Sequence, residues 1–456
     1  MRNKKKNIIL IALALLSITF IGAFFSWILA LAKIIDSEEY HLQQLGKNNH
    51  HPHVKKDLAT LFPNSFLERK KREKFKFQAE PNGVGVGKPL KYLTIPKYLE
   101  SKRSRRYSDI TILTFCSLSK LENILDIARG WDGVISLAVY VQNPLTIPQL
   151  EDILTGFFVE VEDSNPKVRL DISLLFGQGF TMSPKEENSF DKGDEESWNN
   201  RYPEKFNPYD FAFPMNSLRN LALEQASTEF VFSLDSDFLL SANMHQQLTS
   251  PKMYNYLTSL SKSSSVGFII PAFETLDELN ITTFLTRSQL DEYCADLLIV
   301  PYHSKIVLKK IDPKKVEHWC QGKVETYHLK ISEIQGKANY PQWFRAEEPY
   351  SINLGPKLDR FFEPYLIIKR SIFPKFDESF RGYSFNKRSH MTELQYAKFK
   401  FYVLPNNFVI HRYHPFSFSR GFFKKQGILN STVQRTYEKF LMDIRKRYSR
   451  KNEGSK

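Results

Sequence analysis

Two aspartates separated by one serine, Asp235-Ser236-Asp237, follow directly on the apolar run Phe230-Val231-Phe232-Ser233-Leu234. Such a run reads as a strand buried on both faces, and in open α/β sheets ligands bind beyond the carboxyl ends of strands. Two carboxylates placed there can face one divalent ion, directly or through its water. Oxygen ligands suit Mg²⁺ or Mn²⁺, which would bridge to a nucleotide diphosphate. As a Lewis acid the ion would offset the charge that builds when a sugar–phosphate bond breaks. The competing reading is a solvated turn, because an Asp-x-Asp pattern arises readily by chance.

The elements ahead of the pair favour the first reading. Ile110 to Cys116 is a continuous β-prone run, followed by Leu118, Leu121, Ile124, Leu125 and Ala128 at helical spacing. Ile135 to Val141 predicts a second buried strand, Ile147, Leu150 and Leu154 a helix, and Val168 to Leu175 a third strand. An acid-rich loop over residues 183–200 precedes an amphipathic helix marked by Met215, Leu218, Leu221, Ala222 and Ala226. Strands alternating with helices predict an α/β fold with a doubly wound, mostly parallel sheet.

Composition narrows the class. The 456 residues are 42% hydrophobic and 25% charged, with 14% aromatics, which excludes a mostly disordered chain, a fibre or a polytopic transporter. Three cysteines exclude a disulfide-dense scaffold and a zinc ribbon. The net charge of +14 is concentrated in part in two clusters, Glu68 to Lys74 and Lys102 to Arg106. In a cytosolic protein these would suggest nucleic acid, but the amino terminus argues otherwise.

Residues 8–32 form an uncharged apolar run, long enough to cross a bilayer and longer than the apolar core of a cleaved secretory signal. Arg2, Lys4, Lys5 and Lys6 precede it, so the positive-inside rule keeps residues 1–7 cytoplasmic and the remainder luminal. The expected layout is a tail (1–7), a transmembrane signal anchor (8–32), a stem (33–107) and a catalytic domain (108–450). In this setting the basic clusters read as a solvated tether, and no nucleic-acid partner is expected. An oxidising lumen also lets Cys294 pair with Cys320, the alternative being two buried thiols. It gives meaning to the N-glycosylation patterns at Asn280 and Asn430. The glycines at 83, 85 and 87 lack the spacing and the strand–helix context of a dinucleotide fingerprint.

Several blocks in one order resemble glycosyltransferase family 49, over about residues 109–450. They are Trp131-Asp132-Gly133 leading into Val134 to Tyr140, Phe213 to Ala222, Phe232 to Leu239 and Asn339-Tyr340-Pro341-Gln342-Trp343. Phe362-Glu363-Pro364-Tyr365, Phe380 to Lys387, and Val403 to His411 complete the set. The resemblance implies a GT-A fold, a UDP-sugar donor, a Mn²⁺-type ion (or Mg²⁺) and an inverting transfer to a glycan acceptor. In characterised members the sugar is glucuronate. It also implies a Golgi membrane location with a luminal catalytic domain, and leaves a homodimer open.

Roles follow. Asp235 and Asp237 are candidate metal and donor ligands. His411 ends the apolar run Phe408-Val409-Ile410 and so stands at a strand end, where a lone histidine is usually a surface or capped residue; the resemblance adds it to the metal shell, with His414 a weaker alternative. Arg219 could fork onto a diphosphate or a uronate carboxylate, or be an ordinary helix-surface arginine. Asn216 and Asn220 could bond sugar hydroxyls. Inversion needs a general base. The acceptor loop Gly382-Tyr383-Ser384-Phe385-Asn386-Lys387 carries an amide and an ammonium where related enzymes carry acids, so Asp377 and Glu393, which flank it, are the base candidates. Trp343, Tyr383 and Phe385 could stack on sugar rings or equally belong to the core, and Asn386 is a further acceptor-binding candidate. Ser384 stands where a second glycine is usual, which bears on acceptor specificity. The rival to a metal-dependent enzyme is a non-catalytic luminal glycan-binding or scaffold protein of the same fold. The intact Asp235, Asp237 and His411 argue against it.

Overall fold

A computed structural model describes residues 92–103, 108–141, 147–176, 213–275, 281, 284–295, 298–303, 336–354, 362–382, 385–413 and 428–453. The expected anchor at 8–32, the carboxyl side of the Cys294–Cys320 pair, Asn280, Tyr383 and His414 all lie outside these residues. Among the described residues no helix is long and apolar enough to cross a membrane. The chain divides into two compact units, residues 1–75 with 145–157 and residues 76–144 with 158–456. Of the first, the described part is the leading portion of the helix Ile147–Ser164. The second unit carries the sheet and the candidate site.

Its strands, in chain order, are β1 (Leu93–Glu100), β2 (Ile110–Ser117), β3 (Val134–Val141), β4 (Arg169–Phe176), β5 (Phe230–Ser233), β6 (Phe238–Leu240) and β7 (Val266–Ile270). They continue with β8 (Ala272–Thr275), β9 (Ile299–Pro301), β10 (Tyr350–Ile352), β11 (Tyr365–Lys369), β12 (Lys400–Val403) and β13 (Val409–His411). Among the described residues they form a nine-stranded sheet in the order β1-β4-β3-β2-β5-β11-β7-β12-β10, and a four-stranded sheet in the order β6-β13-β8-β9.

The core segment β4-β3-β2-β5 is parallel throughout. Strand β3 is buried at all eight positions, as a parallel strand covered on both faces should be. From β2 the chain steps outward to β3 and β4, then returns to the other side of β2 as β5, so the sheet's switch point lies between β2 and β5. The expectation of a mostly parallel sheet is corrected beyond that point. There β11 runs antiparallel to β5 and β7, and β10 antiparallel to β12, with only β7 and β12 parallel. These later strands are short, three to five residues, and carry little periodicity to read.

The stem boundary also moves. Residues 93–100 form the edge strand β1, antiparallel to β4 with a register shift between Ile95 and Leu99. Pro96 and Lys97 hid it, since proline is tolerated on an edge but breaks the strand signal. Arg103, read as part of a tether, donates to the carbonyls of Glu162, Asn165 and Val168 at 2.9 Å each. It thereby closes the carboxyl end of the helix Ile147–Ser164.

Opposite the site, at the amino-terminal edge of the parallel strands, Asp109 Oδ1 and His245 Nε2 are 2.8 Å apart. His245 sits in the short helix Met244–Leu248 with its ring edge-on to Trp131, the centroids 4.7 Å apart. Gly133 is packed against this pair: a Cβ there would lie 2.4 Å from His245 Nε2 and 2.6 Å from Asp109 Oδ1. That explains the glycine of the Trp-Asp-Gly block. Gly133→Ala is expected to destabilise the fold by at least about 2 kcal/mol, through overpacking and loss of the buried pair. A urea midpoint unchanged from wild type would refute this account.

Candidate active site

Asp235 and Asp237 leave β5 at the switch point, where the Leu234 amide still bonds to the Leu113 carbonyl of β2. The chain then pairs immediately in the second sheet. Strand β6 takes β13 antiparallel, with Phe238 opposite His411, and the Arg412 amide donates to the Asp237 carbonyl at 3.0 Å. This register brings His411 Nε2 to 3.2 Å from Asp237 Oδ2 across 174 residues of sequence. Phe238 and Tyr302 flank the imidazole, with centroids 5.1 and 5.0 Å away.

Asp235 has different company. Its Oδ1 accepts from Arg219 at 2.9 Å, and its Oδ2 accepts from Tyr365 at 3.0 Å and faces Lys387 Nζ at 2.5 Å. Lys387 also donates to the Tyr365 hydroxyl at 2.5 Å and lies 4.0 Å from the ring centroid. Burial would raise the Asp235 carboxyl, but the Lys387 and Arg219 cations outweigh it and hold the carboxyl below the usual range. The Tyr365 hydroxyl is pushed well up by burial and the adjacent carboxylate.

Arg219 does not face outward. The helix Met215–Gln225 is buried from Asn216 to Leu223, apolar residues toward β2 and β3 and polar ones toward the segment 376–386. Its guanidinium donates to Asn216 Oδ1, Asn386 Oδ1 and Asp235, and lies 4.9 Å from the Phe115 ring and 5.2 Å from that of Phe376. Asn216 donates to the Asp377 carbonyl. Asn220 donates to the Phe376 carbonyl and to Glu378, and accepts from the Phe376 amide. Asn386 donates to the Gly382 carbonyl. These side chains, expected on sugar hydroxyls or the diphosphate, are spent on the frame that carries Asp235.

The base and acceptor candidates also move. Asp377 accepts from the Ser379 amide and lines a separate cavity of about 430 Å³ beside the helix Ile428–Glu453. Glu393, only 3% exposed, is paired with Arg447 and accepts from Tyr448 of that helix. Neither lines the cavity at Asp235. Trp343 is fully buried, donates to the Leu404 carbonyl at 2.9 Å and packs on Phe273, Phe344 and Phe408, so it belongs to the core. Phe385 packs on Tyr437 at 4.7 Å. Its backbone is left-handed, φ 59°, immediately before the helix Asn386–Tyr396, a costly conformation for an aromatic residue. Asn430 falls in the first turn of the helix Ile428–Glu453, and Cys294 is buried in the helix Arg287–Ala295.

Sequence reasoning missed Lys387, Tyr365 and Glu363. All three line a narrow cavity of about 30 Å³ with Arg219, Asp235 and His390, room for about one water. Glu363 faces Arg388 at 3.3 Å; burial raises its carboxyl, with Lys387 and Arg388 opposing. The available signal was the position of Glu363 and Tyr365 at the start of an apolar run.

Among the described residues no three His, Cys, Asp or Glu side chains gather as a ready-made metal cage. The donor set still fits a divalent ion. Adjacent ligands of an octahedral ion with bonds of roughly 2.1 Å lie about 3 Å apart, close to the separation of Asp237 Oδ2 and His411 Nε2. Carboxylate and imidazole together suit Mn²⁺.

The family model for "Glycosyl-transferase for dystroglycan" matches residues 109–449. The chain belongs to this family, glycosyltransferase family 49. Mouse xylosyl- and glucuronyltransferase LARGE2 is 26% identical over 340 residues, 75% of this chain and 39% of that protein. Human xylosyl- and glucuronyltransferase LARGE1 is 26% identical over 341 residues, 75% of this chain and 36% of that protein. The chain thus spans under two fifths of the length of these relatives. Among solved structures, S. aureus TarS 1-349 in complex with UDP-GlcNAc is 12% identical, with a TM-score of 0.32 over 68% of this chain and 60% of that one. So low a score supports no statement about this chain.

One wall of the cavity titrates. His390 packs against the rings of Phe373 and Phe376, with centroids 5.0 and 4.0 Å away, and its Nε2 donates to the Pro374 carbonyl at 3.0 Å. Burial pushes its pKa down to about 3, the Pro374 bond opposing and Arg219 adding to the shift. The unfolded chain therefore binds the extra proton below its ordinary value near 6.5, and the folded chain only near 3. Stability should fall as pH drops between these values, by up to about 1.4 kcal/mol per unit. His390→Gln, which keeps a donor but does not titrate, should flatten that slope in urea titrations; parallel slopes would refute the assignment.

Proposed function

We propose that this family 49 member is a metal-dependent, inverting glycosyltransferase of GT-A type that moves a sugar, glucuronate first among candidates, from a UDP-sugar to a glycan acceptor. The observation that carries the reading is the meeting of Asp237 and His411 at 3.2 Å beside Asp235, at the carboxyl edge of the switch strand. Asp237 and His411 would hold the ion, with Asp235 beside them. Once bound, Mn²⁺ or Mg²⁺ supplies Lewis acidity that stabilises the leaving UDP. Arg219 and Lys387 keep Asp235 ionised and in place. The uronate preference rests on the family and on the names of the LARGE relatives.

Inversion requires a group to accept the acceptor hydroxyl's proton. Glu363 lines the cavity with Asp235, and its raised carboxyl is shifted in the direction a base needs. It replaces Asp377 and Glu393 in that role. The apolar run at 8–32 and its cationic flank support a Golgi-type, single-pass type II placement with this unit in the lumen.

The test is Mn²⁺-dependent UDP release by the full chain, offered UDP-glucuronate, UDP-xylose, UDP-galactose and UDP-N-acetylglucosamine in turn. Turnover of one donor is expected. Asp237→Asn should lower it by about two orders of magnitude or more while leaving the fold intact. Donor binding that is equal with and without metal, together with no turnover, would instead favour the non-catalytic glycan-binding reading.

A further inference from the structure

Asp235 is held by two cations that differ in one respect. Arg219 is locked: it is 3% exposed, its donors are divided among three acceptors, and it lies over two aromatic rings. Lys387 is a single ammonium on a flexible stem, 18% exposed, in the first turn of the helix Asn386–Tyr396 and on the wall of the cavity. It shares Asp235 Oδ2 with the Tyr365 hydroxyl. The other carboxylate of the cavity, Glu363, already has Arg388 at 3.3 Å, so it does not require Lys387 as counter-ion.

A divalent ion on Asp237 and His411 that also drew on Asp235 would compete with the ammonium for the same oxygen, and like charge would push the ammonium away. The locked Arg219 cannot yield; Lys387 can. We infer that Lys387 is an exchangeable counter-ion, holding Asp235 until a divalent cation takes that carboxylate and then binding an anionic oxygen of the donor. That oxygen belongs to the diphosphate or to a sugar carboxylate. The inference rests on the donor-site reading above and adds an order to it: cation first, donor second. It also gives the ammonium of the acceptor-side loop a task that an acid there could not perform.

The signature is a pair of effects of opposite sign. Calorimetric titration of the full chain with Mn²⁺ alone should show Lys387→Gln binding the ion roughly 3- to 10-fold more tightly than wild type, since its competitor is gone. In saturating Mn²⁺ the same variant should bind the donor roughly 10- to 100-fold more weakly, the loss of a charge-assisted hydrogen bond. Lys387→Arg, which restores a cation, should recover donor binding and checks that the site still folds. Equal losses for UDP, UDP-xylose and UDP-glucuronate would place the ammonium on the diphosphate, and a loss confined to UDP-glucuronate would place it on the sugar carboxylate. Both outcomes support the exchange. Mn²⁺ and donor weakening together, or neither moving, would overturn it while leaving the donor site standing. A wild-type chain that binds neither Mn²⁺ nor any UDP compound would overturn the donor site and the exchange together.

Discussion

The site depends on a carboxylate kept ionised inside the fold. Asp235 sits at the end of a strand buried on both sides, where an unpaired charge would be costly, and it survives there because Arg219 and Lys387 flank it. Arg219 in turn needs acceptors for its other donors and finds Asn216 and Asn386. Through these contacts one charge ties together the end of β5, the helix Met215–Gln225, strand β11 by way of Tyr365, and the start of the helix Asn386–Tyr396. With Arg219, Lys387 and the Tyr365 hydroxyl all on it, the carboxylate keeps a counter-charge when one of the cations is withdrawn. The frame is therefore built around the charge.

That arrangement separates two aspartates that look equivalent in sequence. Asp235 has both oxygens engaged by protein donors, whereas Asp237 faces an imidazole across a sheet register. A turn at Ser236 and Asp237 carries the chain from one sheet to the other, so the two carboxylates belong to different sheets' edges. Asp235 answers to the large sheet and its helices; Asp237 answers to β6 and β13. A divalent ion at this point would join the two sheets as well as a substrate.

How far this was legible in the sequence follows from the same division. Strands β2, β3 and β4 are eight residues each and mostly apolar, and the four-residue β5 is mostly apolar too, because parallel strands are covered on both faces; each was read within a few residues. The Asp-x-Asp placement followed from them. The second sheet was legible only in part: the apolar run Phe408-Val409-Ile410 put His411 at a strand end, which is β13, but Phe238–Leu240 is too short for any period, and only the pairing of the two strands shows why His411 is near Asp237. Strand β1 was hidden by Pro96, and the outer half of the large sheet by its mixed directions.

The polar side chains beside the site share one feature. Asn216, Asn220 and Asn386 were read as candidates for sugar contacts, and Arg219 as a candidate for an anionic group or as an ordinary helix-surface arginine; each is hydrogen-bonded within the protein, to backbone carbonyls, to carboxylates or to one another. A helix buried on its polar face must satisfy those groups internally, and the segment 376–386 supplies the partners. Lys387 is the reverse case. It was passed over because it stood where an acid was expected, but a cation is what the carboxylate of Asp235 requires at that position. Substituting an acid for Lys387 would set a second negative charge against Asp235 and withdraw the only flexible cation that holds it among the described contacts. The departure from the acid-bearing loop pattern is thus a consequence of how the first aspartate is held.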